Sequence, residues 1–191
     1  MYKLCKTEQS ARRQQEIEEG LLSMMLQHRY EDITVSDLCE KLELPRKSFY
    51  RYFGSKEDAL LGLLDHRLMK YETQNESSTT TRNPRFTLNL HWFFEFWLKQ
   101  KDLLDALEFS NLSGILVQRA IHNSRQGEIF DVAPDTYSKA DVEMSTGFIV
   151  CGLMSVVLQW HHDGYQQSAR EMAESAYKML SRPLVPWIEM E

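Results

Sequence analysis

The chain has 191 residues, room for one large or two small domains, and 42% of them are hydrophobic, enough to bury a real core. Glycine (8) and proline (5) are sparse, and no stretch joins strand-like alternation to hairpin turn signals, so the expected fold is all-α. The net charge of −6 excludes a uniformly basic protein, but residues 1–56 hold 10 basic and 9 acidic side chains against 12 and 19 in residues 57–191.

In chain order, residues 1–9 read as a fraying tail, with a basic arm of Lys3, Lys6, Arg12 and Arg13 as the alternative. A first helix is expected over about residues 10–27, with Ile17, Leu21, Met24 and His28 on its buried face. Thr34 and Asp37 stand at capping-box spacing, and Ile33 and Leu38 at the positions of a hydrophobic staple. A second helix therefore starts at Val35, with Val35, Leu38, Cys39 and Leu42 on one face. Glu43-Leu44 forms a turn, and Pro45, which suits a first helical turn, opens a third helix to about Phe53. Two helices joined by so short a turn make a helix-turn-helix. Phe49, with Tyr52 or Phe53, faces inward. Arg46, Lys47, Ser48, Tyr50 and Arg51 occupy the other faces. Four basic and no acidic residues lie between Pro45 and Lys56, the composition expected of a surface for a phosphate backbone. A basic run is often only a solvated face, but its place on the second helix of a helix-turn-helix favours nucleic acid. Gly54 breaks the helix, and Ser55, with Asp58 three residues on, caps the next.

The stretch TVSDLCEKLELPRKSFYRYFGSKEDALL resembles the TetR/AcrR family of transcriptional regulators, with Tyr50, Phe53, Ser55, Lys56 and Glu57 at the family's marker positions and YEDITV as its lead-in. The resemblance covers about residues 10–65. Glu43, Pro45 and Lys47 depart from it, because the family often has glycine in the turn, Ser or Asn capping the recognition helix, and a small residue where Lys47 stands. The turn then requires a non-glycine residue in an unusual conformation, or a different turn. The resemblance implies a three-helix DNA-binding head at residues 1–56 and a helical regulatory and dimerisation domain at 57–191, about nine helices in all.

Within the second domain, a fourth helix to about Thr73 carries Leu60, Leu61, Leu63, Leu64 and Leu68, too many for one stripe, so it is expected to touch both domains. Residues 74–84 form a polar linker. Residues 86–98 (FTLNLHWFFEFWL) hold six aromatics on nearly all sides, which makes the helix buried or cavity-lining. Core packing is the default. The implied ligand pocket points instead to His91, Trp92, Phe93, Glu95, Phe96 and Trp97 as its lining. A helix over 102–123 bends near Ser110–Gly114, a loop covers 124–134, and two apolar helices follow over 135–162 and 168–181. The apolar core of the first, Gly147–Leu158, suits a buried helix better than a membrane span. Phe148, Gly152, Val156, Trp160, Ala169, Met172, Ala173 and Ala176 are assigned to a homodimer interface, the alternative being completion of the subunit core.

The resulting expectation is a homodimeric transcriptional regulator, a repressor, on a palindromic double-stranded DNA operator, released by an unknown small-molecule effector. Arg46, Lys47, Ser48 and Arg51 are the candidates for base edges; Thr34, Tyr50, Tyr52 and Lys56 for phosphates. A coactivator or adaptor of the same fold, answering to a protein partner without a small-molecule pocket, is the alternative. No phosphate loop, nucleophile elbow or metal-ligand set is present, so neither enzyme activity, cofactor nor metal is expected. Three dispersed cysteines, a polar N-terminus without a signal peptide and no membrane span suggest the cytoplasm. The adjacent His161 and His162 point about 100° apart and are read as a helix end.

Overall fold

The computed structural model describes residues 7–76, 86–124 and 138–181. Lys3, Lys6, Cys5 and linker residues 77–84 lie outside them. The described residues form nine α-helices and one 3-10 turn, with no strand among them: α1 Glu8–Met25, the turn Tyr30–Asp32, α2 Val35–Lys41, α3 Arg46–Tyr52, α4 Lys56–Glu76, α5 Phe86–Leu98, α6 Lys101–Phe109, α7 Ser113–Ser124, α8 Lys139–His162 and α9 Ala169–Ser181. The all-α expectation holds.

α1 to α3 and the start of α4 make the head. Ile17, Leu21 and Met25 of α1, Leu38 of α2, Phe49 of α3 and Leu63 and Leu64 of α4 are buried in one core. Gly20 allows α1 and α2 to meet closely, because a Cβ there would lie 2.8 Å from a Leu42 methyl. His28, expected on the buried face, is exposed, since α1 ends at Met25 and its periodicity lapses there. Arg12 and Arg13 lie on α1 and pair with Glu8 and Glu16 of the same helix.

α4 extends to Glu76, three residues into the expected linker. Three consecutive side chains tie it to its surroundings. Asp65 accepts two bonds from the Arg119 guanidinium on α7, at 2.9 and 2.5 Å. The His66 ring nitrogen lies 2.8 and 3.0 Å from the two Glu18 oxygens on α1. Arg67 donates to Glu19 at 2.6 Å and to Gln100 at 3.2 Å. Burial pushes the Glu18 carboxyl up, and its bond to His66 raises the imidazole in turn.

Beyond α5, the expected helix over 102–123 with a bend is two helices, α6 and α7. They part at Asn111, whose φ of 55° falls in the left-handed region that asparagine tolerates. α5 lies along α9, and α7 along α8. Ala169, Ala173 and Ala176 of α9 and Trp160 of α8 are buried inside the subunit. These four residues, assigned to the dimer interface from sequence, instead complete the subunit core, because small side chains let α9 close on the aromatic α5. Met172 is half-buried against the same core.

α8 was read as carrying an interface face at Phe148, Gly152, Val156 and Trp160; of these Trp160 is buried in the subunit and Phe148 is exposed. By length and apolarity α8 is a helix that could cross a membrane, and only 17% of its most apolar stretch is buried inside the subunit. Its inner face is Met154, Val157 and Trp160. On its other face Met144 is 71% and Phe148 78% exposed, and Gly152 has open space around it. The helix begins as its sequence dictates: Ser138 and Asp141 form a reciprocal capping box.

Candidate nucleic-acid interface

The head is built by local chemistry. The Thr34 backbone N–H donates to the Asp37 carboxylate at 2.9 Å, and the Asp37 N–H donates back to the Thr34 hydroxyl at 3.2 Å. This box starts α2 at Val35 as expected, and the Thr34 hydroxyl and backbone N–H, both donating to the Asp37 carboxylate, hold it below its usual range. The staple residues Ile33 and Leu38 are both buried. α2 ends in a Schellman arrangement: the Leu44 N–H donates to the Cys39 carbonyl at 2.8 Å, and Glu43 takes the left-handed conformation at φ 48°. A glutamate thus occupies the place where glycine is cheapest, the unusual conformation anticipated from the sequence.

Pro45 sits immediately before α3 with φ −57°, and its carbonyl accepts from the N–H of Ser48 at 2.7 Å. Phe49 is fully buried, packed edge-on to Tyr50 and 5.7 Å from Phe53. Those contacts set the rotation of α3. Arg46, Lys47, Tyr50 and Arg51 are consequently exposed, while Ser48 and Tyr52 are half-buried.

The ion pairs single out two of these residues. Among the described arginines, Arg12, Arg13, Arg29, Arg67, Arg119 and Arg170 each lie within 4 Å of a carboxylate. Arg46 and Arg51 do not; both stand on α3, on the surface, beside Lys47. An exposed guanidinium fork without a carboxylate is free to meet phosphate or the acceptor edge of guanine.

Lys56 is placed differently. Its ammonium donates to the carbonyls of Tyr30 and Ile33, each at 2.5 Å, and lies 4.1 Å above the Tyr30 ring. The residue expected to reach out for a phosphate is turned inward and braces the start of α4 against the lead-in to α2. Charge patterning could not reveal this, since the carbonyls that satisfy Lys56 belong to backbone 23 and 26 residues away. The Thr34 hydroxyl is likewise engaged, donating to Asp37 at 2.7 Å. At the start of α4 the Asp58 N–H donates to the Ser55 hydroxyl at 3.2 Å, the expected cap.

The six residues assigned to a ligand pocket divide. Phe93, Phe96 and Trp97 are buried with Phe94 in a network of edge-on rings that reaches Tyr71 and Trp160. Trp92 is 47% exposed, and His91 and Glu95 are half-buried. Two α5 nitrogens, His91 Nδ1 and Trp97 Nε1, are buried without a hydrogen-bond partner among the described residues. A cavity of about 260 Å³ opens elsewhere, between α6 and α8, lined by Leu104, Glu108, Ser113, Ser155, Leu158, Gln159, His161 and His162.

Comparison with known proteins agrees with this geometry. Residues 20–62 match the family model for bacterial regulatory proteins of the tetR family, a span from the C-terminal part of α1 into α4. A search of curated proteins finds no match. Among solved structures, the chain is similar to a TetR-family transcriptional regulator from Syntrophomonas wolfei (TM-score 0.70, 16% identity, 92% of this chain and 98% of that one). It is similar also to the fatty acid degradation regulator FadR from Bacillus halodurans (0.64, 14%, 95% and 98%) and to the dihydroxyacetone kinase operon activator DhaS (0.57, 15%, 88% and 93%).

Proposed function

We propose that this chain, whose head is that of the tetR regulatory family and whose overall fold is that of TetR-family transcriptional regulators, represses transcription as a homodimer on a palindromic operator and is released by an effector in its second domain. The observation that supports the DNA role most directly is the pair of unpartnered arginines on α3. Arg46, Lys47, Ser48 and Arg51 address base edges, while Tyr50, Tyr52 and the end of α2 at Thr34 lie against the backbone. Two such heads read two half-sites about one helical turn apart. The uncovered apolar face of α8, centred on Phe148 and Gly152 and flanked by the half-buried Val156, supports pairing with a second copy rather than a bilayer, because its opposite face is packed on α7. The unpartnered α5 nitrogens favour a small effector bearing hydrogen-bonding groups among the α5 aromatics. The dense ring packing around Trp97 favours the alternative, an adaptor that answers to a protein partner. The cytoplasm is the proposed location, with no membrane.

Incubating the protein with sheared genomic DNA from its source and sequencing the fragments kept at moderate salt tests the reading. A shared palindrome is expected, whereas sequence-blind, salt-sensitive retention sinks it. With that operator, Arg46→Ala or Arg51→Ala is expected to cost about 1–3 kcal/mol and relax discrimination at one position per half-site; unchanged affinity removes that residue from the reading set. Lys56→Met gives a different signature. As an internal brace, its loss should lower the melting temperature and weaken all sequences alike, with the salt slope of binding unchanged. A slope flattened by about one unit per head would return Lys56 to the phosphates.

A further inference from the structure

α6 lies between the head and α8, and it is bonded to both. On the side of α8, its carboxylates meet two consecutive imidazoles. His161, 9% exposed, has Nε2 2.9 Å from Asp105 and Nδ1 3.2 Å from Glu108. The Nδ1 of His162 lies 2.7 Å from the other Glu108 oxygen. Among the described residues, the other charged and titratable groups beside this cluster include Asp163 at the end of α8, Tyr165 in the following turn with its ring edge-on to His161, and Lys101 of α6 over that ring; α7 brings Ser113, which does not titrate. At the C-terminal end of α6, the Ser110 hydroxyl accepts the backbone N–H of Tyr30 at 3.0 Å, and the Arg29 guanidinium lies 5.9 Å over the Phe109 ring. The turn so held is the one whose carbonyls take the Lys56 ammonium and which runs directly into Thr34, the cap of α2.

We propose that α6 is a lever, latched to α8 through Asp105, Glu108, His161 and His162 and engaged with the head through Ser110, so that protons regulate the grip of the head on DNA. The regulated activity is the DNA binding proposed above, and the inference rests on that reading. The chemistry of the latch is geometric. Both ring nitrogens of His161 face carboxylate oxygens, and a neutral imidazole has one N–H, so its second nitrogen would set a lone pair against a carboxylate. The bridge is complete only when both nitrogens bear protons. His162 adds a second bond to the same Glu108, and that bond, with the carboxylate charge, raises its imidazole above the ordinary histidine value. A raised value in the folded state means that the contribution is fully present below the ordinary value of 6.5 and is lost as pH rises through the shifted one. Protonated, the latch fixes α6 and Ser110 holds the Tyr30 turn in place. Deprotonated, α6 loses this tie to α8 while its buried leucines stay packed, and the Tyr30 turn is held less firmly beside the α2 cap.

The test is fluorescence anisotropy of the selected operator duplex, between about pH 6 and pH 8 at constant ionic strength, on the full chain. Affinity of the unaltered protein is expected to fall about fivefold or more across that range. His162→Gln and Glu108→Gln, both at exposed positions, should lose most of that dependence, as should Ser110→Ala, which breaks the lever at its other end. Histidines elsewhere are the same in all four proteins and cancel in the comparison. Imidazole NMR signals provide the second readout. The His162 titration should move down toward the ordinary histidine range in Glu108→Gln and stay where it is in Ser110→Ala. An imidazole titration indifferent to Glu108→Gln overturns the latch. A pH dependence equal in the unaltered protein and Ser110→Ala overturns the lever. If no duplex binds at any pH, the DNA reading falls and the regulatory claim falls with it, while the NMR titration still reports on the latch alone.

Discussion

Replacing Phe148 by Glu is expected to yield a folded monomer that has lost about 100-fold or more in operator affinity. Phe148 is 78% exposed in the subunit and stands on the side of α8 away from α7, with Met144 one turn before it and Gly152 one turn after. A surface substitution of this kind changes the stability of a subunit by about 0.5 kcal/mol or less. Between two copies of α8, however, the new carboxylate would be buried against apolar surface and beside its own symmetry mate, at a cost of several kcal/mol. The loss in DNA affinity follows from linkage of two heads, which is worth roughly 10²–10⁴ in avidity without any new contact. Light scattering on a size-exclusion column at micromolar concentration reads the mass, and far-UV circular dichroism confirms retained helix. A dimer that persists removes this face from the interface, and a monomer with full operator affinity removes the need for pairing.

Arg119→Ala is expected to destabilise the protein by about 3 kcal/mol, the low end of the cost of breaking a buried ion pair, because Arg119 keeps a quarter of its side chain exposed. Its partner Asp65 is 5% exposed and takes both guanidinium bonds. With the guanidinium gone, a carboxylate is left in a site shaped for a pair. For a chain of this length that corresponds to a drop in Tm of roughly 6–12 °C. The double replacement Asp65→Leu with Arg119→Leu should recover most of the loss, since two apolar side chains of similar size leave no charge stranded. Melting curves of the three proteins decide it. An Arg119→Ala variant that melts within a degree or two of the parent means that this ion pair does not hold α4 on α7.

The elements legible in the sequence are those whose cause is local. Thr34 with Asp37 and the staple of Ile33 and Leu38 fixed the start of α2 to the residue, the break at Gly54 placed the end of α3 one residue late, and the aromatic run gave α5 its bounds of Phe86–Leu98. The unusual conformation at Glu43 was legible as well, as the price of a turn without glycine. What remained hidden depended on partners far along the chain. An alanine stripe shows that something comes close, not which helix it is, so Ala169, Ala173 and Ala176 were assigned to a second copy when α5 of the same chain covers them. Lys56 reads as a free cation until the fold brings the Tyr30 and Ile33 carbonyls to it. The bend expected near Ser110–Gly114 proved a full break between α6 and α7 at Asn111, whose left-handed conformation leaves no mark in a hydrophobic pattern.

The packing of α9 on α5 has a consequence for how the molecule is made. Within the head the helices meet their neighbours in sequence, α1 with α2 and α4, and α2 with α3, so most of it can close once α4 has left the ribosome, before α6 is made to pack on α1. α5 is synthesised next, rich in aromatic side chains, yet the helix that covers it is the ninth and is translated after α6, α7 and α8. Throughout that interval the nascent chain combines a competent head with an uncovered aromatic helix. The second domain therefore folds late and through long-range closure, and a ribosome that stalls or terminates before Ala169 releases a chain with a finished reader and an open, aggregation-prone body.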